Sequence, residues 1–155
     1  MNELFLREAI HLSIDKMQAG EGGPFGAVIV KDGEIIGRGW NRVTSLNDPT
    51  AHAEVSAIRV ACEQLGTFSL EGCDIYCSCE PCPMCYAAIY WARLDRIYFA
   101  ASGQDAAAIQ FDDHNLYVDL CKPQAERAIP MEQALRKEAC EAFRLWEAKS
   151  DRIHY

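Results

Sequence analysis

The sequence predicts a three-layer α/β/α domain, and three observations carry that prediction. Apolar residues recur at helical spacing in some segments and as short β-rich runs in others. After a first helix the two patterns alternate in the order β-β-α-β-α-β-α, which layers helices against a sheet. No repeat, low-complexity tract or Pro/Ser-rich linker divides the chain. At 155 residues it is long enough for one core and short for two, so residues 1–155 read as a single domain.

Each element has its own signal. Leu6, Ile10, Ile14 and Met17 recur at helical spacing and the segment stops at Gly20, which predicts a first amphipathic helix. Phe25 to Lys31 and Glu34 to Trp40 are β-rich runs joined by Asp32-Gly33, a pair suited to the positive backbone angles of a tight hairpin. Pro49 and Thr50 precede a second helix with Ala51, Val55, Ile58 and Cys62 on one face, closing at Gly66 and carrying His52 and Glu54 in its first turn. Asp74 to Cys77 reads as a short strand. Pro81 then breaks the chain before a third helix, Cys82 to Trp91, whose first turn presents Cys82 and Cys85 on one side. Arg96 to Ala101 reads as a buried strand and Asp105 to Ile109 as a short helix. Met131, Leu135, Ala139, Ala142, Phe143 and Trp146 line one side of a long C-terminal helix.

Composition narrows the partners. The formal net charge is −8, and acidic excess repels a phosphate backbone, so nucleic acid is disfavoured as substrate. No apolar run reaches the about 18 residues of a membrane span, and the N-terminus lacks the basic-then-apolar layout of a signal peptide. The expected setting is cytoplasmic, with no membrane partner. The eight cysteines therefore read as reduced thiols, with Cys62, Cys73, Cys121 and Cys140 as small hydrophobes.

His52, Cys82 and Cys85 make three metal ligands, the number that holds zinc in a hydrolytic site with one position left for water. Both clusters start helices, where free N–H groups and the positive dipole end favour thiolates and developing anions. Glu54, two residues from His52, is a carboxylate placed to take a proton from water and deliver it to a leaving group. Two other readings stand beside this one. A Cys-x-x-Cys pair also suits a redox couple, and Cys79 lies near enough to complete a closed structural zinc site; neither accounts for the Glu two residues after the His. Glu80 is a rival carboxylate that reads more simply as a surface or helix-start residue.

The pairing of His52-Ala53-Glu54 with Pro81-Cys82-Pro83-Met84-Cys85 resembles the signature of the zinc-dependent cytidine/deoxycytidylate deaminase superfamily. Gly22 to Val30, Asn47 to Glu54, Ser78 to Cys85 and Phe111-Asp112-Asp113 further resemble its bacterial guanine deaminase branch. The resemblance covers nearly the whole chain. It implies a cytidine-deaminase-like fold with a five-stranded mixed sheet, one zinc ion per subunit, and hydrolysis of guanine to xanthine and ammonia. It implies a homodimer in which the C-terminal segment crosses to the partner.

Carried over, the pattern makes His52, Cys82 and Cys85 the zinc ligands and Glu54 the proton shuttle. It places Asn41, Asp113 and Tyr155 around the purine, with Phe25 and Trp91 as walls and the Ala53 N–H at the helix start. On residue type alone Asn41 reads as a strand-end turn residue and Phe25 and Trp91 as core aromatics, while Asp113 is equally a cap beside Asp112. Tyr86 and Ala87 depart from the small residues expected after the second zinc cysteine. A nucleoside deaminase acting on guanosine, a tRNA adenosine deaminase, and a non-catalytic zinc-stabilised binding module are the competing readings.

Overall fold

The computed structural model describes residues 1–155, which divide into two compact units, Met1–Asp113 and His114–Tyr155. The first unit carries a four-stranded sheet. Its elements are α1 (Glu3–Gln18), β1 (Gly26–Lys31), β2 (Glu34–Trp40), a short α2 (Val43–Leu46), α3 (Ala53–Leu65), β3 (Cys73–Cys79), α4 (Pro83–Trp91), β4 (Arg96–Ala101) and α5 (Gly103–Ala107). Strand order is β2-β1-β3-β4, with β1 antiparallel to both neighbours and β3 parallel to β4. The parallel step needs a crossover, which α4 supplies.

The hairpin forms where Asp-Gly predicts it. Asp32 and Gly33 both take positive φ, 50° and 81°, and Lys31 pairs with Glu34 across the two-residue loop. Strand β1 is buried over five of its six residues, and its alternation sorts the core into two layers. Ala27 and Ile29, with Ile75, Cys77 and Cys73, pack beneath Ala53, Ala57, Ala61 and Ile89 of α3 and α4. On the opposite face Val28, Val30 and Tyr76 pack against Phe5, Leu6 and Leu12 of α1. Fully buried Ile29, Leu70 and Ile75 each contribute roughly 1.5–3 kcal/mol of transfer free energy.

Close backbone approach decides which residues line these contacts. A Cβ on Gly39 would lie 2.1 Å from the Ala53 carbonyl oxygen, so α3 rests directly on β2. A Cβ on Gly26 would lie 2.3 Å from the Ala9 oxygen. That approach explains why the buried residues of α1 are Ala9 and Ser13, whereas the expected face through Ile14 and Met17 is turned partly to solvent.

Other expectations shift. The five-stranded sheet is a four-stranded one, because the chain leaves β4 into α5 and forms no further strand. Strand β4, expected to be buried, is an edge paired on one side only, with Arg96, Phe99 and Ala100 exposed. The second and third helices begin one or two residues later than expected, with His52 and Cys82 as their N-caps. Helix α5 starts at Gly103 because Ser102 and Asp105 form a reciprocal capping box.

The second unit holds α6 (His114–Leu120), a 3₁₀ turn (Gln124–Glu126) and α7 (Arg136–Ala148). The expected long C-terminal helix is shorter. Leu135 takes a left-handed φ of 52° at the N-cap of α7, so Met131 lies outside the helix. Phe143, Leu145 and Trp146 of α7 are exposed. No helix of the structure is long and apolar enough to cross a membrane.

Candidate metal centre and cleft

Two helix starts meet at the carboxyl end of β3. Thr50 Oγ1 and N–H both donate to Asp48 Oδ1, at 2.7 and 2.8 Å, an Asx turn that brings the chain around into α3. His52 N–H donates to the Thr50 carbonyl at 2.8 Å. His52 therefore caps α3 in extended conformation, and its side chain makes no cap hydrogen bond to the helix. Cys82 holds the same position on α4, followed by Pro83 at the first helical turn, and Cys85 is fully buried one turn along.

His52 Nδ1 lies 3.7 Å from Cys82 Sγ and 3.5 Å from Cys85 Sγ, and the three ligand atoms all lie within 4.8 Å of one another. Zinc bonds of about 2.05 Å to nitrogen and about 2.3 Å to sulfur at tetrahedral angles give N···S edges of about 3.6 Å. The three side chains fit a zinc ion. Cys79 is not among them: its thiol points to the Ser102 carbonyl at 3.5 Å and burial pushes it up to about 11. The closed four-ligand knot is thus not what these residues build.

The protonation pattern has the same sense. The Cys82 thiol is drawn down to about 4, first by the Cys85 thiol that hydrogen-bonds to it and, against burial, by His52. The His52 imidazole is raised, chiefly by its bond to Cys82, with burial opposing. Cys85 is pushed up by sharing its proton with Cys82 and by burial. Three groups thus divide protons that a bound dication would displace, and both sulfurs would then be thiolates.

Glu54 is 7% exposed and sits on α3 just past the cap. Burial raises its pKa above the usual carboxylate range, partly offset by hydrogen bonds that include the Cys85 thiol. A carboxylate that gains and loses a proton readily is what a shuttle needs.

These groups open onto a cleft of about 270 Å³. His52, Glu54 and Cys82 line it, as do Phe25 and Phe111, whose rings meet edge to face at 4.9 Å between centroids. Asp113 lines it too, its pKa raised first by partial burial and then by the charge of Cys82. Glu80, Gly103, Ala106, Gln110 and Asp112 complete it. Sequence reasoning set Glu80 aside and took no account of Phe111 as a wall, although it opens the Phe-Asp-Asp run that ends in Asp113. Glu80 accepts the Gly103 N–H at 2.9 Å, joining the end of β3 to the start of α5.

The other expected site residues divide. Asn41 is buried next to the cleft wall: its N–H donates to the Phe25 carbonyl at 3.0 Å. Its Oδ1 accepts the Gly23 and Val43 N–H groups at 3.1 and 3.3 Å, which is the turn role. Ala53 is buried between His52 and Glu54, and as the first residue of α3 its N–H has no intrahelical acceptor. Trp91 is not part of the cleft formed by this chain. It stands at the end of α4, 63% exposed, beside Tyr90, Arg93 and Leu94, and Phe111 occupies the second aromatic place instead. Tyr86 is exposed on α4. Tyr155, 71% exposed, belongs to the second unit.

Residues 1–101 match the family model for the cytidine and deoxycytidylate deaminase zinc-binding region. The chain belongs to this deaminase family. Guanine deaminase of Bacillus subtilis is 51% identical to this family member over 154 residues, 99% of each chain. The X-ray structure of that enzyme superimposes with a TM-score of 0.97 over 100% of this chain and 99% of its own. Guanine deaminase from Nitrosomonas europaea, 29% identical, gives a TM-score of 0.70 over 96% of this chain and 86% of its own. The tRNA-specific adenosine deaminase of Agrobacterium fabrum is 51% identical over 87 residues, 56% of this chain and 57% of its own.

Proposed function

We propose that this chain hydrolyses guanine to xanthine and ammonia. The observation that carries the reading is a three-ligand metal cluster beside a buried glutamate, in a chain similar to a guanine deaminase from end to end. The cleft agrees with a neutral base. Carboxylates line it at Glu54, Glu80, Asp112 and Asp113, and no Lys or Arg does, so a phosphorylated substrate or an RNA meets only like charge there.

His52, Cys82 and Cys85 hold the zinc, which supplies a Lewis acid that makes water nucleophilic at neutral pH. Glu54 accepts the proton that the attacking water loses at C2 and donates it to a ring nitrogen as aromaticity is lost. It then takes the proton of the new C2 hydroxyl as the carbonyl forms and passes it to the departing amine, so guanine and water become xanthine and ammonia. Asp113 orients the 2-amino group and assists its proton transfer. Phe25 and Phe111 enclose the ring, while Asn41 and the Ala53 N–H meet its polar edge.

Residues 1–155 act as one deaminase domain within a homodimer, with Tyr155 reaching the partner's site. The similarity to a full-length guanine deaminase and the exposed apolar residues of α7 support this part of the reading.

Release of ammonia by the zinc-loaded protein from guanine, guanosine, cytosine, cytidine and an anticodon stem-loop tests the substrate. Turnover of guanine alone supports it; turnover of another member of the panel without guanine overturns the substrate and spares the chemistry. Light scattering tests the dimer, and deletion of residues 151–155 with unaltered guanine kinetics would remove the tail from the site.

A further inference from the structure

The run Gly22-Gly23-Pro24-Phe25 leads into the cleft wall, and a compact polar cluster holds it at its start. The Glu21 carboxylate accepts the Trp40 indole N–H at 2.7 Å and the Lys16 ammonium at 3.0 Å, on separate oxygens. The Glu21 N–H donates to the Lys16 carbonyl at 3.0 Å. Lys16 Nζ stands 4.1 Å from the centroid of the Trp40 ring, and the Arg42 guanidinium carbon stands 5.5 Å from it. The end of α1, the end of β2 and the start of the arm are thereby tied by one carboxylate and one indole.

The arm itself is tightly packed. Gly22 has no room for a side chain, since a Cβ there would lie 2.1 Å from the Asn41 carbonyl oxygen. The next amide, Gly23 N–H, is one of the two donors that occupy Asn41 Oδ1. With its oxygen used by backbone donors, the Asn41 carboxamide has only its NH2 left to offer, and it becomes a donor alone. Gly23 also abuts the rings of Phe25 and Phe111, each 3.4 Å from where its Cβ would be.

We propose that Glu21 and Trp40 are positioning residues for the substrate, their carboxylate–indole hydrogen bond clasping the Gly22–Phe25 arm so that Asn41 presents its NH2 and Phe25 keeps its place at the cleft. This rests on the reading of Asn41 and Phe25 as purine contacts. Neither Glu21 nor Trp40 touches the cleft; both act through the arm. The clasp thus selects a purine edge that carries an acceptor, because a free Asn41 oxygen would serve a donor edge equally well.

Trp40→Phe removes the N–H and keeps a ring for the Lys16 and Arg42 cations; Glu21→Gln keeps an acceptor and removes the charge. With zinc content unchanged, KM for guanine rises about tenfold in Trp40→Phe and less in Glu21→Gln, kcat stays within about twofold, and the double variant is no worse than Trp40→Phe alone. Hydrogen exchange at the Gly23 and Val43 amides speeds up in Trp40→Phe while that of β3 does not. An unchanged KM, an equal fall in kcat, or unchanged exchange at Gly23 overturns the proposal. Inactivity of the unmodified protein toward guanine sinks the substrate reading instead, and the exchange measurement still decides the clasp.

Discussion

His52 Nδ1 lies 3.5 Å from the Cys85 sulfur although 33 residues separate them in the chain. Between the two run all of α3, strand β3 and the start of α4, so the metal ties the first-turn residues of two helices that the sheet alone would only bring near each other. Removing a ligand is therefore both a binding and a folding change. Cys85→Ala is expected to lower zinc affinity by more than about 100-fold and to abolish the drop in Tm that a chelator causes in the unmodified protein. Zinc stoichiometry after dialysis and paired melting curves check it; a chelator response equal to that of the parent chain would mean that Cys85 does not hold the metal.

Glu54 should separate from its neighbours in the opposite way. Its carboxylate is buried beside the ligands without joining their cluster, so Glu54→Gln keeps shape and hydrogen bonding and removes the capacity to carry a proton. Guanine turnover is expected to fall by about 10²–10⁴-fold, with zinc content and melting temperature near those of the parent. A variant retaining its rate would dismiss Glu54 as the shuttle.

The stability of the helix that carries His52 depends on a residue with no side chain. Gly39 lets β2 approach within 2.1 Å, measured to a would-be Cβ, of the Ala53 carbonyl. The obstacle is backbone, which cannot rotate aside, so Gly39→Ala pushes the start of α3 outward. The expected cost is about 3 kcal/mol, at the upper end for overpacking, read as a lower midpoint in urea denaturation with an unchanged slope. Because Ala53 is flanked by His52 and Glu54, zinc occupancy should fall as well. A midpoint within experimental error of the parent's would refute the close-approach argument.

The metal cluster was legible in the sequence because its logic is local. His52 at one N-cap has a carboxylate two residues on at Glu54, Cys82 at the other has Pro83 next and Cys85 one turn along, and only the meeting of these two short runs needed the fold. Strands β1, β2 and β3 and the Asp32-Gly33 turn were legible for the same reason. What the sequence concealed depends on approach distance and on tertiary neighbours. The face of α1 is set by how closely Gly26 admits Ala9, which periodicity of large apolar residues does not register. Trp91 at the end of a helix reads as a wall until α4 is seen to carry it away from the cleft, and Phe111 takes the place because α5 and the turn after it bring it opposite Phe25. Helix α6 begins directly after Asp113, whose cap signal had no apolar periodicity behind it to mark a helix, and the left-handed Leu135 left no turn signal to read.

In the second unit a single carboxylate closes a loop, and its titration gives a pH prediction of definite sign. Asp119 accepts the Ala128 N–H at 3.0 and 3.2 Å on its two oxygens and the Lys122 ammonium at 3.1 Å. Those bonds hold its pKa below the ordinary carboxylate value, the Ala128 amide first and Lys122 second. A group whose folded pKa is depressed stabilises the fold above its unfolded pKa, about 3.9 for Asp, and that contribution is lost as pH falls through the folded value. Protection of the Ala128 amide against hydrogen exchange, after correction for the intrinsic rate, is thus expected to be flat from neutral pH down to about 4 and to decline below it. In Asp119→Asn protection should be low throughout and should not change across that window. Arg127 also braces this loop, donating to the Lys122 carbonyl at 3.3 Å. A loop whose protection rises on acidification would reverse the sign and remove Asp119 as its fastening.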